Sequence, residues 1–369
     1  MNHVLILTCS TGEGHNSAAR ALQSALFAAG IASEIADPVS FQSERMQHAV
    51  SSLYNNMIKK TPAVFGAIYK LGDLYSSTNL PSPVYWANAQ YAQALQKYII
   101  TKAFDAVVCT HLYGMEVMTA IREKGRFQIP CYGVLTDYVC IPFIEETHMD
   151  LYFASCDRAR QDLIDKGIPA HKIVVSGIPV HERFINHPDK TAARAQLHIS
   201  PDKKIFLVMT GGVGCENMIG LCDEMVKSLK SDAELYVLTG KNEKLKQRLD
   251  AKYGPEPRLH TVPFTRQVAS YMAAADVLLS KPGGLSSTEA AVANIPLVHI
   301  HAIPGCETYN ARFFSENGMS LHAYSDKQAV SYAQQLAYDE EKAALMVQAQ
   351  QRYIPNHAAL TIIEEMKRK

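Results

Sequence analysis

No C-x-x-C pair occurs among the eight cysteines, no apolar run approaches 18 residues, and neither sign of charge is in excess. Each absence excludes something. Cys9, Cys109, Cys131, Cys140, Cys156, Cys215, Cys222 and Cys306 are scattered, mostly in apolar strand-like runs where cysteine behaves as a small buried hydrophobe. Neither a zinc site nor a disulfide framework is expected, and a reducing cytosol is the natural compartment. The 36 Lys and Arg residues balance 36 Asp and Glu residues, which argues against a general nucleic-acid binder. No membrane span is expected, and MNHVLILTCSTGEGH lacks the apolar length and basic flank of a signal peptide. Internal repeats and low-complexity segments are also missing. There is no Gly-Lys-Ser/Thr and no G-x-G-x-x-G in register, which disfavours ATP and nicotinamide enzymes.

What is present is an alternation of strand and helix, twice over. The 369 residues are long for one hydrophobic core, so two domains are expected. Apolar runs at 3–9, 31–37, 104–110, 130–137, 150–155 and 172–177 form a first series of strands. Runs at 203–212, 233–240, 258–264, 275–280 and 296–300 form a second. Unalternated Val, Ile and Leu separated by helical stretches predict parallel sheets covered on both faces, an α/β class with two Rossmann-like, doubly wound domains. The polar, proline-containing stretch 179–203 reads as the linker between domain 1–178 and domain 204–345. Residues 346–369 are expected to form a C-terminal helix that packs back on the first domain.

Two facing domains of this kind would enclose a cleft, with ligands at the carboxyl ends of the strands. Three loops there carry suitable chemistry: CSTGEGHNSAAR (9–20), TGGVGCEN (210–217) and SKPGGLSSTEA (280–290). A glycine turn opening a helix presents main-chain N–H groups that suit a phosphate. A carboxylate one turn into the helix, Glu289, can accept from a ribose diol. The plainer alternative is a helix start with Ser286 or Ser287 as N-cap and Glu289 favoured by the dipole.

The order Gly-x-Gly-His from Gly12, Thr-Asp-Tyr at 136, SGIPV at 176, TGGVG at 210, SKPGGLSSTEA and IPGCETYNA resembles one glycosyltransferase family. The chain is similar, over roughly 3–340, to the monogalactosyldiacylglycerol synthases and processive diacylglycerol glucosyltransferases. These are related to the transferase that adds N-acetylglucosamine to the peptidoglycan lipid intermediate. The resemblance implies a GT-B fold, an acceptor in the first domain and a UDP-sugar in the second. It also implies inversion at the anomeric carbon with no cofactor and no metal, and the sequence holds no Asp-x-Asp. By the same resemblance Gly211, Gly212, Gly214, Gly283, Gly284, Ser286 and Ser287 would surround the diphosphate. Glu289 would bind the ribose, and Phe264 and Thr265 the uracil, though Phe264 could equally be core packing after a strand. Glu307 and Asn310 would reach the donor sugar.

On the acceptor side His15, beside Gly14 at a strand-to-helix turn, is the candidate general base. A helix-capping or phosphate-contacting histidine is its alternative. Asp137 is the second catalytic candidate, as base or as the group orienting it, unless it only caps the next segment. His111, Tyr138 and Ile141 complete the expected acceptor pocket, with His111 read as structural by default. The chain departs from the family pattern at Ile141 and Ile144, where a polar, acceptor-facing wall becomes apolar. It departs again at Cys306, where an amide is usual.

Residues 45–102 hold six basic residues against one acidic, Asp73, and eight aromatics. That composition suits peripheral contact with an anionic membrane, or else a helical excursion with a solvated basic face. The expectation is therefore a cytoplasmic, inverting UDP-hexose transferase acting on a lipid hydroxyl at the inner membrane face. A different hydrophobic acceptor, a UDP-sugar 2-epimerase and a non-catalytic UDP-sugar-binding protein are the alternatives.

Overall fold

The structure, a computed structural model, describes residues 1–9, 13–41, 81–125, 127–209 and 218–368. The Gly211, Gly212 and Gly214 loop and most of the 45–102 segment lie outside the described residues. The chain divides into two compact units. The first is Met1–Glu182 with Ile303–Cys306 and Asn356–Lys369; the second is Arg183–Ala302 with Glu307–Pro355.

The first unit's sheet contains β1 (His3–Leu7), β2 (Ala32–Ala36), β3 (Ala106–Cys109), β4 (Cys131–Val134), β5 (Leu151–Ala154) and β6 (Ile173–Val175). Its helices are α1 (Glu13–Ala28), α2 (Pro83–Ala89), α3 (Ala92–Thr101), α4 (Leu112–Glu123) and α5 (Asp157–Asp165). In the second unit α6 (Lys190–Leu197) precedes β7 (Lys204–Met209), α7 (Met218–Ser228), β8 (Ala233–Gly240), α8 (Glu243–Tyr253) and β9 (Leu259–Pro263). Then come α9 (Val268–Ala274), β10 (Val277–Ser280), α10 (Gly284–Val292), β11 (Leu297–His299), α11 (Cys306–Glu316) and β12 (Leu321–His322). The chain closes with α12 (Asp326–Tyr338), α13 (Glu340–Tyr353) and α14 (Ala358–Arg368).

All pairings in both sheets are parallel, in the orders β2-β1-β3-β4-β5-β6 and β12-β11-β10-β7-β8-β9. Helices on both faces explain the unalternated apolar runs: Val4 to Leu7 of β1 are wholly buried, odd and even residues alike. Strand order reverses between β1 and β3 in the first sheet and between β7 and β10 in the second. These reversals are the switch points where open α/β sheets bind ligands. Loop 9–20 leaves β1 and His111 follows β3; loop 210–217 leaves β7 and the Pro282–Gly284 turn follows β10. Thr-Asp-Tyr at 136, SGIPV at 176 and IPGCETYNA instead follow β4, β6 and β11, away from the switch points.

The 179–203 stretch is not a featureless linker. Residues from Arg183 onward belong to the second unit, and α6 is fixed to the entry of β10. Buried Arg194 of α6 donates to Asp276 at 2.8 Å and to the Ala274 carbonyl at 2.9 Å. Residues 346–369 are two helices, not one, broken between Tyr353 and Ala358. The second of them, α14, places Ile362, Ile363 and Met366 in the first unit's core beside Val4, Ile6, Leu22 and Val108. Each such fully buried aliphatic side chain contributes roughly 1.5–3 kcal/mol.

Residues 81–102 are anchored rather than detached. Ser82, the N-cap of α2, donates to Glu146 through its N–H at 2.7 Å and its hydroxyl at 2.6 Å. No helix among the described residues is long and apolar enough to cross a membrane.

Candidate functional site

The first unit gathers its polar side chains at the β1/β3 switch point. His15, in the first turn of α1, lies with its ring edge-to-face against His111, centroids 4.6 Å apart. His15 Nδ1 is 2.9 Å from the Thr110 carbonyl and 2.9 Å from the Thr136 hydroxyl. A carbonyl only accepts, so Nδ1 carries the proton and Nε2 keeps its lone pair. The Thr110 hydroxyl donates to the His15 carbonyl at 3.2 Å, tying the first turn of α1 to the chain just after β3.

Burial holds the His15 imidazole below its ordinary value, against the Thr110 hydrogen bond that raises it. His111 is the N-cap of α4, its Nδ1 accepting from the Tyr113 N–H at 3.2 Å. Burial, then the neighbouring His15, holds it well below the normal histidine range. The close approach of α4 needs Gly114: a Cβ there would stand 3.0 Å from the Leu7 Cβ and 3.2 Å from the Cys109 Cβ.

Two expectations for this region need correction. The group orienting His15 is a main-chain carbonyl at the end of β3, not the carboxylate of Asp137, which sits half-buried one residue beyond Thr136. Ile144 is fully buried, so it belongs to the core and not to an acceptor-facing wall. Tyr138 is only 2% exposed, whereas Gly14 and Ile141 remain half-exposed.

The second unit's candidate site is built where β10 meets α10. Gly283 is the N-cap with extended backbone, and the first-turn N–H groups of Gly284, Leu285 and Ser286 have no intrahelical partner. Their orientation and the helix dipole make this an anion site. The Ser286 hydroxyl stays at the turn, at 3.3 Å from the Gly283 carbonyl. Glu289 is half-buried one turn further on.

Ser287 does not fit its expected part. Its N–H is taken by the Gly283 carbonyl at 3.0 Å, and its buried hydroxyl meets His299 Nε2 at 2.9 Å. Asn310 is also corrected: fully buried, it donates to the Pro282 carbonyl at 3.0 Å and so holds the turn instead of facing a sugar. Glu307, half-buried in the first turn of α11, has Lys281 Nζ 3.4 Å from its Oε1.

At the exit of β9, Phe264 is 58% exposed, which removes core packing as its explanation. The Lys241 ammonium stands 5.7 Å from its ring centre, and the Thr265 hydroxyl accepts from the Gln267 N–H at 3.0 Å. Lys241, His299 and Thr110 were not singled out in the sequence, and Lys281 and Thr136 stood there only as members of motifs with no role assigned. Among the described residues, no three His, Cys, Asp or Glu side chains come together as a metal-binding set.

Comparison with known proteins gives two overlapping family matches, the second of which begins inside the first unit. The family model for monogalactosyldiacylglycerol (MGDG) synthase matches residues 15–180, and that for UDP-N-acetylglucosamine 2-epimerase matches residues 146–367. A processive diacylglycerol beta-glucosyltransferase of Bacillus licheniformis is 26% identical over 347 residues, 92% of this chain and 88% of that protein. Its counterpart in Bacillus pumilus is 25% identical over 370 residues, 98% of this chain and 94% of that one.

Among solved structures, Acinetobacter baumannii MurG aligns with a TM-score of 0.64 at 15% identity, covering 100% of both chains. The UDP complex of S. aureus MnaA aligns at 0.65 and 16% identity, covering 100% of this chain and 96% of that one. At such identities the likeness establishes the GT-B fold alone. The chain is similar over its whole length to the processive diacylglycerol glucosyltransferases and over 15–180 to the monogalactosyldiacylglycerol synthases, and through residues 146–367, more than half of its length, it belongs to the UDP-N-acetylglucosamine 2-epimerase family.

Proposed function

We propose that this protein is an inverting, UDP-sugar-dependent hexosyltransferase that adds a hexose to a hydroxyl of a lipid acceptor such as diacylglycerol. The observation that carries the reading is the fixed tautomer of His15, whose Nε2 lone pair is left for a proton. The acceptor oxygen attacks the anomeric carbon while Nε2 takes its proton. The bond from that carbon to the diphosphate breaks on the opposite side, inverting the centre, and UDP departs with the electron pair. The N–H groups at the start of α10 face the developing charge without reorganising, Glu289 accepts from the ribose, and Phe264 with Thr265 flanks the base. No metal or other cofactor takes part in this scheme. The names of the whole-length relatives support both the donor and the acceptor class.

Peripheral attachment to the inner face of the membrane belongs to the same proposal. It is supported by the basic, aromatic composition of 45–102 and by Trp86, which is 60% exposed on α2. The test is turnover of UDP-glucose or UDP-galactose with diacylglycerol. His15→Ala should lower kcat by about 100-fold or more while UDP affinity is kept, and unchanged turnover would remove the assigned role. One observation favours a second reading, the epimerase match over 146–367: an epimerase would interconvert the UDP-sugar with no acceptor present.

A further inference from the structure

Lys281 is the first residue after β10, immediately before the Pro282–Gly284 turn. Its side chain is only 8% exposed. The carboxylate beside it is Glu307, and Nζ to Oε1 measures 3.4 Å. A charge-assisted hydrogen bond of this kind is about 2.7–2.9 Å long, so the contact is loose. An ammonium carries three donors, and one withdrawn from water with a single distant counter-charge is poorly satisfied.

Its position is fixed by α11. Glu307 and Asn310 stand three residues apart on one face of that helix, and Asn310 is bonded to the Pro282 carbonyl. The carboxylate that holds the ammonium thus comes from the helix that also holds the turn from which α10 starts, where unpaired N–H groups already favour an anion. A buried cation beside an anion-binding helix start has no structural need for a carboxylate when a phosphate is there to replace it.

We propose that Lys281 supplies the positive charge of the diphosphate site. On donor binding its ammonium exchanges Glu307 for a phosphate oxygen, which frees that carboxylate for the donor-sugar contact the family resemblance already implies. The proposal rests on the UDP reading above and assigns to a side chain the neutralising part that main-chain dipoles alone supply there.

Calorimetric titration with uridine and with UDP separates the two levels. Wild type should prefer UDP strongly over uridine. Lys281→Met should weaken UDP by about tenfold or more, equivalent to one lost charge-assisted contact, and leave uridine within about twofold. Lys281→Arg should restore most of the UDP affinity, and Glu307→Gln should bind UDP at least as tightly as wild type. Retained UDP affinity in Lys281→Met, or an equal loss of uridine and UDP, would overturn the proposal, as would weaker UDP binding by Glu307→Gln. A wild type that does not distinguish UDP from uridine would instead overturn the UDP reading itself, and this inference with it.

Discussion

Protonation of His299 should be resisted by the fold, and the size of that resistance can be worked out. The ring is fully buried at the end of β11, with Nε2 2.9 Å from the Ser287 hydroxyl and Nδ1 3.0 Å from that of Ser320. Burial, then the nearby His322, pushes its pKa from 6.5 down to about 3. Above pH 6.5 both folded and unfolded chains are neutral at this site, so the full contribution to stability is present. Below it the unfolded chain takes up a proton that the folded chain refuses. Stability is therefore lost as pH falls from 6.5 to about 3.

The full loss is about 5 kcal/mol, of which about 2 kcal/mol is reached by pH 5.0. Urea unfolding followed by far-UV circular dichroism at pH 7.5 and 5.0, in wild type and His299→Gln, isolates the site, because other histidines titrate in both proteins. The wild type should lose about 2 kcal/mol more than the variant over that interval, in the transition of the second unit. Equal losses would refute the reasoning.

Two other outcomes are expected. The acid limb of kcat/KM should have its midpoint below 6.5, because burial lowers His15 and keeps its imidazole neutral as pH falls; a midpoint above 6.5 would speak against His15 as the base. Asp276→Ala should destabilise the second unit by about 3–5 kcal/mol, since it strands the buried Arg194 guanidinium, and a urea midpoint near that of wild type would contradict this.

The parallel sheets were legible because two-sided burial writes itself as continuous apolar runs: each of the eleven runs read from the sequence holds a strand. Among the described residues only the strand Leu321–His322, two residues long, left no such trace. Helix α6 was taken for linker because what anchors it, Asp276, is 82 residues away from Arg194. The chemistry of the glycine turn was legible as a cluster of donors, but which way each one points was not. Ser286 and Ser287 differ by one step around a helix, and that step turns the first toward the turn and the second toward His299.

Asn310 was misread for the same kind of reason, since its amide suits a sugar hydroxyl and a carbonyl equally. Lys281 and Thr136 were visible as members of motifs but without roles, because those roles depend on partners brought from α11 and α1 by the fold. Gly114 is a further case: the need for a missing side chain appears only once α4 is set against β1 and β3.

The central claim, transfer from a UDP-sugar to a lipid hydroxyl with inversion, is tested most directly by product analysis. Purified protein would be incubated with UDP-glucose or UDP-galactose, with and without diacylglycerol, and the products read by mass spectrometry and proton NMR. The account requires a β-linked hexosyl diacylglycerol and free UDP when the lipid is present, and an unchanged UDP-sugar when it is absent. An α-linked product, or isomerised UDP-sugar in the lipid-free sample, would contradict it.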